Sequence, residues 1–293
     1  MLHDIANEAL MIIDKEIVAQ RILESLDNVE VFPEGALRYA AQVKKELEPH
    51  LIAALNNALD DIKDPSIESE SDIPFFALFL LGEFCTKAAY PIFLRIFLLS
   101  EDELEDLIGD AVTEILPQAT AACFDGDMQD LLSLFDNKEL YEFARIAALH
   151  TVRILLLQGI IGVDQVVSEI ESRLKKAINS GNSGDITWLI DFIDDCKLHT
   201  LYHMVREAFD LELVDLTFYS REDFEGSCAE EINLNVPWHN FIGSACAELR
   251  GWSSFKDLPK LSWRLYFPKI GRNDICFCGS KLKFKNCCSD FVW

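Results

Sequence analysis

The sequence predicts an all-α fold with a small, chemically distinct segment at its C-terminus. Apolar residues recur at the 3.6-residue spacing of a helix through most of the 293-residue chain. Short polar turns divide these apolar stretches from one another. Four of the nine cysteines fall between residues 276 and 288, where basic side chains surround them. The first two observations predict the helical fold, and the third sets the C-terminal segment apart.

Two stretches show the helical period most clearly. Between Leu140 and Leu155, apolar or small side chains follow one another at steps of 4, 3, 1, 3, 3 and 1 residues, and residues 166–178 repeat the pattern. Each stretch places these side chains on one helix face, which we expect to be buried. Turn-like sequences before three predicted helices end in an aspartate that we expect to cap the helix: Asp127, Asp164 and Asp185.

The helical units recur along the chain in pairs. Second helices are predicted to begin near five positions at intervals of 42, 36, 37 and 35 residues: Pro49, Pro91, Asp127, Asp164 and His199. This spacing is typical of HEAT-type two-helix repeats, in which neighbouring hairpins bury the apolar face that a single hairpin cannot. We therefore predict a HEAT-like hairpin array over residues 1–255. An irregular helical bundle is the alternative interpretation.

The pattern changes after residue 220. Residues 219–238 are typical of a loop, and a last helix is predicted over residues 239–249. Between residues 261 and 267 every second residue is apolar, which predicts a short strand or an extended connector. Residues 256–293 are therefore predicted to form a second region, made of this connector and the cysteine-rich end.

Charge is distributed unevenly along the chain, whose formal net charge is −24. Residues 256–293 contain eight Lys or Arg and three acidic residues, which gives this segment +5 and leaves −29 for the rest. A body of such negative charge repels nucleic acid and anionic membranes. Binding to RNA or to a ribosome is therefore expected only through the basic tail.

The sequence also indicates a compartment. No uncharged apolar run approaches the ~20 residues of a membrane-spanning helix, and the N-terminal residues lack the basic region of a secretory signal. We therefore expect no membrane association and a cytoplasmic location, with delivery into a host cell's cytosol as the alternative. Cysteines stay reduced in such compartments. Five of them lie among apolar residues and are predicted to be core thiols: Cys85, Cys123, Cys196, Cys228 and Cys246.

The remaining four cysteines have the spacing of a metal site. One residue separates Cys276 from Cys278. After eight further residues the adjacent pair Cys287 and Cys288 follows. Zinc binds four ligands in a tetrahedron and favours thiolates. Because the protein fills all four positions, we expect one structural Zn²⁺ per chain. A vicinal disulfide between the adjacent pair and a cluster of reactive thiols are the alternatives.

Residues 271–288 read GRNDICFCGSKLKFKNCC, and this stretch resembles the SEC-C motif, a zinc module named after the C-terminus of the translocation ATPase SecA. The resemblance implies that the four cysteines are the ligands and that residues 272–274 brace the loop. In SecA-like proteins the module binds partners such as an export chaperone or the ribosome. A docking role is therefore implied for four basic residues: Arg272, Lys281, Lys283 and Lys285.

The body carries a second resemblance. FALFLLGEF, GDAVTEILP, ARIAALHTV and ELRGW are similar to an uncharacterised bacterial family of HEAT-like domains that often ends in SEC-C. This resemblance spans roughly residues 30–255 and implies architecture only. Three acidic residues in these segments are candidates for an acidic groove that binds a basic segment of a partner: Glu83, Asp110 and Glu114. The alternative is structural, with Asp110 capping a helix and Arg145 paired with an acid on a neighbouring hairpin.

Together these observations predict a non-enzymatic protein-interaction adaptor, because curved helical arrays offer extended surfaces to other chains. A protein partner is expected, and no small-molecule substrate is evident. An RNA- or ribosome-binding protein acting through the tail is one alternative. An unrecognised hydrolase-type enzyme is the other, using Glu83 or Glu114 in acid–base steps or a metal at His199 and His203. No common nucleotide-binding or hydrolase motif occurs, and the two histidines are more simply a packing pair.

Overall fold

The structure is a computed structural model that describes residues 15–27, 29–62, 71–256, 258, 271–275 and 282–286. Within these ranges the chain is mainly helical and forms no extended strand, and Ile275 and Lys283 pair in an isolated antiparallel bridge. The prediction of an all-α fold is confirmed. No helix in this part of the chain is long and apolar enough to cross a membrane. The connector predicted over residues 261–267 lies outside the described ranges.

The helices are numbered here in chain order. The first eight are α1 (Lys15–Leu26), α2 (Glu34–Ala40), α3 (Lys44–Asp61), α4 (Ile73–Glu83), α5 (Tyr90–Ile96), α6 (Glu101–Ile108), α7 (Ala111–Glu114) and α8 (Leu116–Ala122). The next eight are α9 (Met128–Asp136), α10 (Glu142–Leu157), α11 (Val163–Ser180), α12 (Ser183–Asp195), α13 (Tyr202–Asp210), α14 (Arg221–Ser227), α15 (Ala245–Gly251) and α16 (Ser253–Lys256). Short 3₁₀ turns add Ala41–Val43, Lys87–Ala89, His199–Leu201, Pro237–His239 and Phe284–Asn286.

The chain forms two compact units. Unit 1 comprises the described residues of Met1–Ile92, Asp106–Ile108 and Ile242–Trp293, and unit 2 those of Phe93–Glu105 and Gly109–Phe241. The boundary predicted between residues 255 and 256 stays a prediction.

Unit 1 is built around α4, whose sequence IPFFALFLLGE is apolar on every side. A helix of this kind must be covered all round, and residues 76–82 are indeed buried. Helices α1, α3 and α15 pack against it. The C-terminal helices also contact α4 through aromatic rings, which we call the aromatic seam: Phe32, Phe75, Phe76, Phe79, Trp252 and Phe255.

Unit 2 is organised by α10, which contacts α7, α8, α9 and α12. Buried residues occur along most of its length and include two arginines, Arg145 and Arg153. Buried cations require partners, and these come mainly from α12. The buried faces predicted for α10 and α11 are confirmed for most of their residues, which are buried or packed against the core of this unit. Leu140 is the exception, since it precedes α10 and is half-buried.

The structure confirms one of the three predicted N-cap residues and corrects the other two. Asp127 caps α9 as predicted, since its carboxylate accepts the Gln129 N–H at 2.9 Å. The caps of α11 and α12 are instead Gly162 and Asn182, so the predicted caps lie in the first turns. In the case of α12, the Asn182 side chain accepts the Asp185 N–H at 3.1 Å and leaves that carboxylate free for other contacts.

Two other helix boundaries also differ from the prediction. α3 begins at Lys44 and continues through Pro49, because the buried stripe of Leu47, Leu51 and Leu55 runs across the proline. The last predicted helix, 239–249, begins only at Ala245, where the Ser244 hydroxyl accepts the Ala247 N–H at 3.4 Å. Residues 237–239 form a 3₁₀ turn instead, and His239 is buried.

The core-thiol prediction is correct for three of the five cysteines. Cys123, Cys196 and Cys246 are buried free thiols. Cys85 is exposed, because it follows the C-terminus of α4 in a left-handed turn with φ of 53°. Cys228 is half-buried.

Candidate functional site

Unit 2 contains an open cavity of about 430 Å³ that we call the acidic pocket. Four of the residues that line it are carboxylates, and among the described lining residues none is Lys or Arg. The lining comprises Glu101, Asp102, Leu104, Glu105, Gly109, Asp110, Val112, Thr113, Tyr141 and Phe143. A concave surface with this charge favours a cationic group.

Local sequence explains how the carboxylates come to one place. Ser100 and Glu103 form a capping box at the start of α6, so Glu101 and Asp102 lie in its first turn, where the helix dipole stabilises negative charge. Gly109 ends the helix with φ of 50°, and its N–H bonds to the carbonyl oxygen of Glu105 at 3.1 Å. This left-handed turn favours glycine.

An aromatic pair also lines the acidic pocket. Tyr141 immediately precedes α10, and Phe143 lies in the first turn of that helix. Their ring centroids are 5.5 Å apart in an edge-to-face arrangement. The Phe143 side chain is 45% exposed. Burial raises the pKa of Tyr141, and the charge of Glu101 and its hydrogen bond with the tyrosine raise it further. Tyr141 therefore keeps its proton and serves as a hydrogen-bond donor to the carboxylate.

The three acidic residues predicted to share a groove make different contacts within their own units. Asp110 lines the acidic pocket, and its side chain makes no capping bond to α7, which corrects the structural alternative. Glu114 is exposed at the end of α7 and is not part of the lining. Glu83 belongs to unit 1, where its carboxylate accepts the Ala245 N–H at 2.7 Å. Burial raises the pKa of Glu83, and this hydrogen bond partly opposes the effect.

Most of the pocket was not apparent from sequence. Glu101, Asp102 and Glu105 occur in an acidic run, SEDELED, that is also typical of a helix N-terminus on a solvated face. Their proximity to Tyr141 depends on tertiary packing across about forty residues of chain. The acidic run was therefore the available signal in the sequence, and it does not indicate the proximity of Tyr141.

For Arg145, the structure confirms the alternative in which it pairs with an acidic residue of a neighbouring helix. Its guanidinium donates to the Asp185 carboxylate of α12 at 2.5 Å and to the Phe135 carbonyl oxygen at 2.9 Å. Lys138 donates to the same carboxylate. A second set of ion pairs lies further along the two helices, where Arg153 contacts Asp191 at 3.4 Å and also Asp195.

The C-terminal segment is described just before each of its two cysteine pairs, at residues 271–275 and 282–286. The N–H of Phe284 bonds to the Asp274 carbonyl oxygen at 2.7 Å, and that of Lys285 bonds to the Arg272 carbonyl oxygen at 2.9 Å. Phe284 is buried, whereas Arg272, Lys283 and Lys285 are exposed. Lys281 and the four predicted ligands lie outside the described residues: Cys276, Cys278, Cys287 and Cys288.

These contacts bear on the predicted metal site. Residues 275 and 283 pair directly, so the chain just before the first cysteine pair lies beside the chain leading to the second. Such a hairpin fits the donor set of a zinc site, in which two ligands come from each arm. Within the described ranges no group of three or more His, Cys, Asp or Glu is arranged to hold a metal ion.

His199 and His203 take separate roles in unit 2. The ring of His199 packs edge-to-face on Tyr202 with centroids 5.0 Å apart. His203 Nδ1 lies 3.0 Å from the carbonyl oxygen of Thr200. Both contacts agree with the packing interpretation.

Known proteins resemble this chain over most of its length. It matches the family described as "Protein of unknown function (DUF1186)" over residues 17–256 and the SEC-C motif over residues 272–290. An "Uncharacterized protein" of Chlamydia trachomatis is 26% identical over 252 residues, which cover 79% of this chain and 94% of the relative. Another, from Chlamydia muridarum, is 25% identical over 248 residues, which cover 79% and 95%.

A shorter match involves "UPF0225 protein VP1145" of Vibrio parahaemolyticus, 32% identical over 99 residues that cover 32% of this chain and 56% of that protein. No solved structure is significantly similar to the chain. The family match extends over most of the sequence, and the motif match lies on the cysteine-rich tail. The chain therefore belongs to the DUF1186 family and carries a SEC-C motif at its C-terminal end.

Proposed function

We propose that this protein is a non-enzymatic interaction adaptor in which the acidic pocket binds a basic segment of a partner protein. The observation that carries the proposal is the pocket itself, where four carboxylates and two aromatic side chains line one cavity. The helices form a HEAT-like hairpin array, a kind of architecture that presents extended surfaces to other chains. The protein is proposed to act in a reducing compartment, either the bacterial cytoplasm or a host cell's cytosol. The buried free thiols of both units support this, because thiols stay reduced there.

The chemistry of the pocket favours arginine or lysine side chains as the bound groups. Carboxylates form short, charge-assisted hydrogen bonds with guanidinium and ammonium groups. The exposed face of Phe143 adds an aromatic surface on which a guanidinium can stack. Tyr141 already satisfies part of the hydrogen-bonding capacity of Glu101. Glu105 and Asp110, both exposed, are therefore the main charged contacts for the partner.

A binding titration tests this proposal. A fluorescently labelled arginine-rich peptide is titrated with the full-length protein, and its anisotropy is followed. We expect the double variant Glu105→Gln/Asp110→Asn to weaken binding about tenfold, which is the effect of losing one charge-assisted hydrogen bond.

The matched control for this titration is Glu139→Gln/Glu207→Gln, which removes the same charge from exposed positions of unit 2 outside the pocket. We expect it to change the affinity less than about threefold, because exposed charges at a distance are screened by salt. Equal losses in the two double variants, or no binding of the peptide by the native protein, would refute the proposal.

The tail is proposed to bind one structural zinc ion through Cys276, Cys278, Cys287 and Cys288. The pairing of Ile275 with Lys283 supports this, since it brings together the segments that precede the two cysteine pairs. Metal analysis of the purified protein should give about one zinc per chain, and Cys276→Ser should lose it while Cys85→Ser keeps it. Native protein with four reactive tail thiols and no zinc would exclude the site.

RNA or ribosome binding through the tail is the second candidate function. The observation that favours it is the exposure of Arg272, Lys283 and Lys285 on the hairpin. Affinity for a single-stranded RNA should then fall steeply with salt concentration. The binding should disappear on deletion of residues 266–293, and RNA binding that is insensitive to salt would count against this function.

A further inference from the structure

The connection between α13 and α14 carries the two most exposed large apolar side chains among the described residues. Leu216 and Phe218 are 67% and 68% exposed, and they lie in a turn of residues 214–219 that we call the apolar turn. The turn is anchored at both ends. Val214 is buried, and the Tyr219 hydroxyl donates to the carboxylate of Asp194 on α12.

Hydrogen bonds also fix the apolar turn internally and against α12. The Asp215 N–H donates to the Thr187 hydroxyl of α12 at 3.0 Å. The Asp215 carboxylate accepts the N–H and the hydroxyl of Thr217 at 2.9 and 2.7 Å, and its carbonyl oxygen accepts the Phe218 N–H at 3.1 Å. Because the backbone is already ordered, covering these side chains costs a partner little loss of loop entropy.

A series of side-chain contacts connects the apolar turn to the acidic pocket. Phe218 packs on Trp188 of α12 with ring centroids 5.6 Å apart. Trp188 is half-buried, and its Nε1–H donates to the carboxylate of Glu142 at 3.2 Å. Glu142 stands in the chain between Tyr141 and Phe143, the two aromatic residues of the pocket lining. The pocket and the apolar turn therefore lie on neighbouring parts of the surface of unit 2.

This surface combines two kinds of chemistry. The pocket carboxylates and the exposed Glu142 favour cationic groups. Exposed apolar side chains beside such a polar region are typical of an interaction site. The contacts from Phe143 to Phe218 extend over about 20 Å, which about six residues of extended chain cover at roughly 3.3 Å each. One continuous segment of a partner can thus contact both regions.

We infer that the basic partner segment bound by the acidic pocket continues onto the apolar turn and places a large apolar side chain against Phe218 and Trp188. The inference rests on the proposed function of the pocket and specifies the partner further. Its binding segment combines arginine or lysine with an aliphatic or aromatic residue about six positions away. The charge gives attraction to the pocket, and the apolar side chain adds affinity through burial.

Anisotropy titrations with two labelled peptides test this inference. Both carry a short run of arginines within a Gly/Ser chain. One has a leucine about six residues from the arginines on each side, and the other has serine at those two places. Leucine on both sides makes the result independent of the direction in which the chain binds. We expect the full-length protein to bind the leucine peptide about fivefold more tightly, because a leucine partly buried on the apolar turn leaves water.

Two variants locate this gain in affinity. Phe218→Ser removes the exposed ring and should bind the two peptides equally, with the affinity that the native protein has for the serine peptide. The matched control is Ile160→Ser, which removes a side chain 53% exposed beyond the C-terminal end of α10. It should keep the difference of about fivefold, because it lies at the other end of that helix from the pocket.

The serine peptide separates the inference from the proposed function. If it binds the native protein as tightly as the leucine peptide does, or if the difference persists in Phe218→Ser, the inference is overturned and the pocket stands. If neither peptide binds the native protein, the pocket is refuted and the inference with it. A native dimer that dissociates in Phe218→Ser, measured by sedimentation, would assign the apolar turn to a second copy of this chain and also overturn the inference.

Discussion

Within each unit, the helices are joined by a different kind of contact. In unit 1 the C-terminal helices pack on α4 through the aromatic seam, where Trp252 lies 5.6 Å from both Phe75 and Phe79, and Phe255 lies 5.8 Å from Phe76. In unit 2 the long helices are joined by ion pairs. α12 carries four carboxylates, and each has a cationic partner: Asp185, Asp191, Asp194 and Asp195.

The difference has consequences for stability. Aromatic packing draws its free energy from apolar burial and ring contacts, which do not titrate. A buried ion pair contributes little net stability, but removal of one partner leaves an uncompensated charge at high cost. We therefore expect the stability of unit 2 to be more sensitive to changes of charge than that of unit 1, at the sites of these buried ion pairs.

The largest expected effect comes from Arg145, whose side chain is buried against Asp185 and the Phe135 ring. Arg145→Ala leaves the carboxylate with Lys138 alone and removes the donor from a carbonyl oxygen. We expect the free energy of unfolding to fall by about 3–5 kcal/mol in urea denaturation. The control is Arg206→Ala, which breaks an exposed pair with Glu225 and should cost about 0–1 kcal/mol. Similar losses in both variants would show that the buried pair has no special role.

An intermediate effect is expected from the aromatic seam. Trp252→Ala removes a half-buried indole that contacts two phenylalanines of α4. The free energy of unfolding should fall by about 2 kcal/mol, and by the same amount at pH 7 and pH 5, because no charge is involved. Leu216→Ala, at a site 67% exposed, should stay within about 0.5 kcal/mol of the native protein. A loss at Trp252 that depends strongly on pH would contradict the aromatic account of unit 1.

The smallest effect concerns His150. Because burial lowers the pKa of His150 in the folded protein, the unfolded chain binds its proton more readily. Stability therefore falls as the pH drops below about 6.5, the ordinary value for histidine. His150→Gln should remove this contribution and flatten the dependence of unfolding free energy on pH between about 6.5 and 5, by less than 1.4 kcal/mol per pH unit. If the unfolding free energy of His150→Gln depends on pH as steeply as that of the native protein, this contribution of His150 is ruled out.

Sequence patterns predicted what depends on local chemistry. The all-α class, the Asp127 cap and an acidic partner for Arg145 follow from helical periodicity, capping preference and the need to pair a buried cation. What depends on distant packing was not predicted. The start of α3 is set by a buried leucine stripe that outweighs Pro49, and the acidic pocket requires Tyr141 to lie beside Glu101.

The candidate site divides in the same way. The SEC-C motif is a short sequence pattern, so its residues could be identified without a structure. The acidic pocket joins the α6 turn to the start of α10, and no local pattern records that proximity. Glu83 was selected because its sequence segment is distinctive, but its carboxylate accepts a hydrogen bond from the backbone N–H of Ala245.

The most direct test of the adaptor proposal is to locate a bound basic peptide by NMR. Unlabelled arginine-rich peptide is added to deuterated, ¹⁵N-labelled full-length protein, and the perturbed backbone resonances are mapped. We expect the perturbations to concentrate in residues 101–113 and 141–143, which line the acidic pocket, and to vanish in Glu105→Gln/Asp110→Asn. Perturbations that spread evenly over the acidic surface, or that concentrate elsewhere in unit 2, would contradict the proposal.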